Sequence, residues 1–212
     1  MLSKNKGKLI LTSIIILLPI LAGLILWKKL PDQMPVHWNS AGEIDGWSHK
    51  WFVVFALPFF MLAIHWICVV ITCLDPKNKS ITNKMFDFVL WIIPVMSILV
   101  CFLSYVAGMG IKVSVDIIVP VFIGLMFVVI GSYIPKCQPN YTIGIKVPWT
   151  LHNENNWNAT HRFAGPVWVI GGIVLIATGF FGLNMIYFII LMAIGVIPVV
   201  YSYLYYRKNC VE

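Results

Sequence analysis

The apolar residues of this chain fall in six long, nearly uncharged runs, at positions 9–30, 51–74, 85–108, 114–134, 164–182 and 184–206. A helix needs about 20 mostly apolar residues to cross the hydrocarbon of a bilayer. The pattern therefore predicts an all-α, polytopic integral membrane protein with six transmembrane helices. The last two runs are almost continuous. Phe181-Gly182-Leu183-Asn184 is the expected turn between them, because Gly and Asn accept tight-turn geometry. The first run follows Lys4, Lys6 and Lys8, as the apolar stretch of a signal peptide would. It is too long for one, ends in Lys28-Lys29 and lacks a small-residue cleavage site, so it reads as the first membrane helix.

Two polar segments are long enough to carry function, Pro31 to Lys50 and Pro135 to Phe163. With six spans, one side of the membrane holds Lys4, Lys6, Lys8, Lys77, Lys79, Lys84, Lys136, Lys146, Arg162, Arg207 and Lys208, and the other only Lys28, Lys29, Lys50 and Lys112. The positive-inside rule then predicts cytoplasmic N- and C-termini, an extracytoplasmic 31–50 loop and a cytoplasmic 135–163 loop.

Composition agrees with this class. Sixty per cent of the 212 residues are apolar and 11 per cent are charged, against roughly a quarter charged in soluble domains. The net charge of +7 does not point to direct nucleic-acid binding, because the basic residues cluster beside membrane runs. Cys68, Cys73, Cys101, Cys137 and Cys210 form no CxxC pair, and no disulfide framework or zinc knuckle is expected.

Each run contains a proline: Pro19, Pro58, Pro94, Pro120, Pro166 and Pro198. Pro166 is expected near a helix start, where a missing N–H costs little. Gly165, Gly172 and Gly179 recur every seven residues and predict a groove of small residues where another helix approaches closely.

In the first loop, Pro31 and Pro35 stiffen the approach to the loop, Asp45-Gly46 signals a tight turn, and Trp38, Trp47 and Trp51 suit the interface. His37, Glu43, Asp45 and His49 are ligand types without a metal-site spacing; a hydrogen-bonded cap is expected, with no metal and no cofactor. In the second loop, Thr142 to Val147 alternates as an extended segment that Pro148 ends. A helix starting near Thr150 or Asn153 would then carry Glu154, Asn158, His161 and Arg162 on one face, with Trp157 at the interface. That face fits a general-base site, a salt-bridged lock or a docking surface for a partner. Within the membrane runs, His65 is the ionisable residue nearest mid-span, a functional candidate or a neutral inter-helix hydrogen bonder.

The two loops resemble the SdpI family of bacterial immunity proteins and the N-terminal membrane module associated with it. The first loop resembles the module in Leu30-Pro31-Asp32, Pro35, His37-Trp38-Asn39, Gly42, Asp45-Gly46 and Lys50. The second resembles the family's most distinctive stretch in Ile143-Gly144-Ile145-Lys146, Pro148-Trp149-Thr150-Leu151, Asn153-Glu154, Trp157, Thr160 and His161-Arg162. Lys146 departs mildly, keeping the charge where Arg is often found. The resemblance implies an N-terminal module over 1–80 and an SdpI-like membrane domain over 81–212. It also implies a non-enzymatic protein of the bacterial cell membrane that confers resistance to a secreted, membrane-active peptide toxin. A signalling role, holding a cytoplasmic transcriptional repressor at the membrane, goes with it. The residues placed to meet toxin are then His37, Trp38, Asn39, Asp45 and Trp47. The cytoplasmic motif comprises Lys146, Pro148, Trp149, Asn153, Glu154, Trp157, His161 and Arg162. The alternatives are a membrane-embedded hydrolase or transferase using Glu154 and His161, and a small-solute carrier.

Overall fold

Uncharged apolar runs of this length satisfy their own backbone only by coiling into helices, since lipid offers no hydrogen-bond partners. The computed structural model, which describes residues 2–182 and 184–209, places helices on all six runs. They are α1 (Lys6–Ile25), α2 (Leu57–Leu74, continuing a π-helical stretch Phe52–Ala56), α3 (Asn83–Gly108), α4 (Val115–Tyr133), α6 (Glu154–Phe180) and α7 (Asn184–Asn209). A one-turn helix, α5 (Pro148–Leu151), precedes α6. Each of the six long helices is apolar enough to cross a membrane, and the chain is a multi-pass membrane protein. Many large apolar side chains, among them Ile14, Leu21, Phe59, Ile67, Ile170 and Ile189, point outward from the fold, as lipid-facing residues do.

One boundary departs furthest from the sequence expectation. The fifth spanning helix begins at Glu154, not near 164, so the polar second half of the loop and the apolar run are one rod. Pro166 therefore lies well inside α6 and leaves the Arg162 carbonyl without its usual i+4 donor. The turn after α6 contains Gly182 at φ 65°, as expected of a tight connection; Leu183 lies outside the described residues, as does Cys210.

The helices belong to two compact units. The first comprises 1–74 and 86–115, the second 75–85 and 116–212. In the first unit, α1 and α3 are tied by polar side chains onto backbone carbonyls: Ser97 Oγ donates to Ile16 O at 2.9 Å and Tyr105 Oη to Pro19 O at 3.0 Å. The second bond lies at the proline that interrupts the α1 ladder.

The second unit is organised by glycine. The expected Gly165, Gly172 and Gly179 stripe is answered on α4 by Gly124 and Gly131, in antiparallel register and seven-residue steps. A Cβ on Gly172 would lie 2.5 Å from the Gly124 carbonyl oxygen, and one on Gly131 2.8 Å from that of Gly165. Gly179 closes the row against Ile117 and Pro120. Between lipid-immersed helices there is little hydrophobic drive, so close backbone approach of this kind supplies the packing. On the other side of α6, Leu175 packs with Tyr187 and Ile194 of α7, and Trp168 Nε1 donates to Ile194 O.

Candidate functional site

The loop after α1 folds as a β-hairpin, β1 (Gln33–Trp38) and β2 (Ile44–His49), an element the helical reading did not include. Its turn is Asn39 to Glu43. Asn39 Oδ1 accepts from the N–H groups of Ala41 and Glu43, and Gly42 adopts φ 76°. The tight turn expected at Asp45-Gly46 is therefore displaced: those residues lie within β2, where the pairing is irregular. A bulge re-aims side chains, and here Asp45 Oδ1 lies 2.5 Å from His37 Nδ1. A Cβ on Gly46 would lie 2.7 Å from His37 Cβ, which explains the glycine. Trp47 and Trp51 are exposed and Trp38 half-buried. His49 is turned away, accepting from Trp51 N–H, and no group of three or more His, Cys, Asp or Glu gathers to hold a metal among the described residues.

The hairpin is clamped to the helix ends rather than hanging free. Met34 is fully buried with Leu30, Val53, Val54, Cys101 and Tyr105, and Ser104 Oγ donates to Pro35 O. Lys50 is nearly buried, with its ammonium 3.1 Å from Leu30 O, 3.1 Å from Asp32 Oδ1 and 4.7 Å from the centre of the Trp27 ring. It thus satisfies a carbonyl left over just past the C-terminus of α1, where cations are favoured. His65, within α2, is fully buried, its Nε2 3.2 Å from Thr12 Oγ1 and its Nδ1 without a hydrogen-bond partner among the described residues. Thr12 gives its own proton to Leu9 O.

In the second unit the helix expected near Asn153 does start there, with Asn153 as the N-cap of α6, but 142–147 is not an extended strand, and residues 137–153 hold no strand at all. They form a turn-rich lid pinned from beneath at three points. The first is Asn140, buried, whose Oδ1 accepts from Thr142 and Ile143 N–H and whose Nδ2 donates to Gln138 O and Cys137 Sγ. Burial pushes the Cys137 thiol up to about 11, opposed by the Asn140 amide. The second is Asp75, also buried, which accepts from Lys77 N–H, Tyr141 N–H and Thr142 Oγ1. Burial alone would raise its carboxyl, but these hydrogen bonds hold it below the ordinary carboxylate value.

The third point is His161. Trp157 and His161 are both fully buried, their rings stacked with centroids 4.1 Å apart. Trp157 Nε1 donates to Cys137 O at 2.7 Å. His161 Nε2 accepts from Ile145 N–H at 2.9 Å and Nδ1 lies 2.7 Å from Trp157 O, which fixes the Nδ1–H tautomer. Gly144, at φ 127°, lets the chain pass over this pair; a Cβ there would lie 2.5 Å from His161 Nε2. This positive φ is why the apparent alternation of 142–147 does not become a strand.

The expected common face of Glu154, Asn158, His161 and Arg162 is thus divided. His161 points inward, whereas Glu154, Asn158 and Arg162 are exposed. Trp157 is likewise a core residue, not an interfacial anchor. The Glu154–His161 pairing that a hydrolase would use is not assembled, because both ring nitrogens of His161 are engaged by backbone. Asn153 Oδ1 caps α6 through Asn156 N–H, and Glu154 sits in its first turn, where the helix dipole favours an anion. Trp149 Nε1 donates to Ser202 Oγ of α7 and its ring meets Tyr203 and Tyr206. Asn156 Nδ2 donates to Ser202 O. Lys146 Nζ donates to Thr142 O from the outer surface, and Pro148 is exposed beside it. Sequence reasoning missed Asp75, Asn140 and Ser202. Asp75-Pro76 and Pro139-Asn140 are turn-type pairs that marked the first two, while nothing local marks Ser202.

Both sites coincide with segments shared with known proteins. The SdpI/YfhL protein family model matches residues 136–202, and a domain of unknown function (DUF1648) matches 14–62. The chain is similar to Immunity protein SdpI of Bacillus subtilis (strain 168), 28% identical over 209 residues, covering 95% of this chain and 97% of that one. No solved structure shows a significant match.

Proposed function

We propose that the chain is an SdpI-like immunity protein, non-enzymatic, protecting the bacterial cell that carries it from a secreted, membrane-active peptide toxin. The observation that carries this reading is similarity along nearly the whole of both chains to a protein named for immunity. Eleven of the fifteen Lys and Arg residues fall on one side of the six spans, which supports cytoplasmic termini and an outward-facing hairpin. A toxin arriving from outside then meets the hairpin first, at His37, Trp38, Asn39, Asp45 and Trp47. Exposed indoles beside a His–Asp pair suit an amphipathic peptide lying at the headgroups.

The 137–153 lid and the start of α6 then face the cytoplasm. Of the motif residues, Trp149, Asn153, Trp157 and His161 hold the lid, and Lys146, Pro148, Glu154 and Arg162 are open to a partner. A transcriptional repressor held there fits the signalling role, provided toxin binding changes how the lid is presented. The test expresses the full chain in a toxin-sensitive bacterium and measures survival, protein abundance and recruitment of the repressor together. Asp45→Ala with Trp47→Ala is expected to lower survival at unchanged abundance. Glu154→Ala is expected to weaken recruitment while sparing survival. Intact protein, present at normal abundance, that protects against no cognate toxin would refute the immunity reading.

A further inference from the structure

Arg162 is exposed on α6, and no carboxylate pairs with it among the described residues. It stands where two hollows meet. On one side is a polar hollow of about 640 Å³, edged by Asn155, Asn158, Tyr201 and Tyr205. On the other is an apolar groove of about 540 Å³ between α6 and α7, lined by Pro166, Ile170, Ala193 and Ile197. Arg162 and Phe163 border both, and Phe163 stacks on Tyr201 with centroids 4.1 Å apart, forming the sill between them. Since Pro166 has no N–H, the Arg162 carbonyl also lacks its i+4 donor at this point. One residue thus offers an exposed positive fork and a spare carbonyl acceptor where the polar hollow meets the apolar trough.

We propose that this groove binds an anionic glycerophospholipid from the leaflet at the N-terminal end of α6. Its phosphate sits on the Arg162 guanidinium, its headgroup hydroxyls lie among Asn155, Asn158 and the two tyrosines, and one acyl chain lies between α6 and α7. Charge complementarity selects the occupant. A guanidinium matches phosphate geometry with two parallel donors, the polar hollow suits a hydroxylated headgroup, and the lipid-facing trough suits a chain. This does not rest on the immunity reading, and with Arg162 on lipid it leaves Lys146, Pro148 and Glu154 as the motif residues open to a cytoplasmic partner.

The test uses the purified full chain and native mass spectrometry, with phosphatidylglycerol or phosphatidylcholine of the same acyl chains as probes. Phosphatidylglycerol adducts are expected to dominate. Arg162→Gln should reduce their abundance by about tenfold or more, as expected for loss of a charge-assisted hydrogen bond, with Arg162→Lys intermediate. Ala193→Phe, which fills the trough and leaves Arg162 in place, should reduce retention of both lipids. Glycerol 3-phosphate alone should not compete at concentrations matched to the lipid. The proposal is overturned if the wild type retains both lipids equally, if Arg162→Gln keeps its phosphatidylglycerol, if glycerol 3-phosphate displaces the lipid at matched concentration, or if a second copy of the chain occupies the groove in place of lipid.

Discussion

Replacing Gly172 by Ala tests the glycine row between α4 and α6 at its centre. The new methyl carbon would lie 2.5 Å from the Gly124 carbonyl oxygen and 2.9 Å from Val128 N. Carbon–oxygen contacts ordinarily lie at about 3.3–3.6 Å, so the helices must part by roughly 1 Å at this level. Both obstructing atoms are backbone, and neither can rotate away. A gap of 0.5–1 Å forfeits about a quarter to a half of each dispersion contact, and the loss extends to the Gly165–Gly131 and Gly179–Ile117 rungs. Overpacking of this kind costs about 1–3 kcal/mol, a shift of about 5- to 150-fold in the folded-to-unfolded ratio. Gly172→Leu should cost more. Gly195→Ala on α7, where no atom lies within 4 Å of the added Cβ, is the control and should stay within about 0.5 kcal/mol of wild type. Unfolding of the full chain in mixed micelles titrated with dodecyl sulfate, followed by tryptophan fluorescence, measures the difference. If Gly172→Ala unfolds with the control, the row is incidental to stability.

Asp75→Ala should free the 137–144 turn, seen as faster limited proteolysis there while the helices stay protected. In the wild type the Asp75 contribution is present above the ordinary carboxylate value of 3.8 and is lost as pH falls below it through the depressed folded value. Acid should therefore loosen this turn in wild type and change Asp75→Ala little. Cys137, buried with its thiol raised to about 11, should resist maleimide at neutral pH until denaturant is added; prompt labelling in the folded state would contradict the closed lid. Cysteines introduced at Ser40 and Asn155 should label from opposite sides of the membrane, Ser40 in whole cells and Asn155 only after lysis. Labelling of both in whole cells would reverse the charge-based orientation.

The spans were legible because lipid imposes one demand, length without charge, that each run met unaided. The glycine stripe of α6 was legible for the same reason, since a seven-residue repeat needs no partner to be seen. Its complement on α4 was not, because Gly124 and Gly131 gain meaning only when the two helices are set in register. The lid defeated local reading. Thr142 to Val147 alternates as a strand does, but the φ of Gly144 and the His161 ring beneath it are long-range facts. Likewise helical spacing put His161 beside Glu154 and Arg162, yet 161 follows the inward row of Trp157, Thr160 and Ala164. A helix that begins in water and ends in lipid changes which face is buried along its length, and spacing alone does not say where. In the first loop, Asp45-Gly46 carried the residues of a reverse turn; cross-strand approach to His37, rather than chain reversal, needs that glycine.

The continuity of α6 makes it a lever. Twenty-seven residues at 1.5 Å each give a continuous rod of about 40 Å from its Asn153 cap to Phe180, with one ladder rung missing at Pro166. A tilt of only about 5° about its far end would sweep the capped end through roughly 3.5 Å, more than the length of a hydrogen bond. The lid would not be left behind, because Trp157 and His161, one and two turns along the rod, grip Cys137 and Ile145 directly. Any force that leans this helix inside the bilayer is therefore delivered outside it as displacement of an intact surface, with no unfolding needed to transmit the movement.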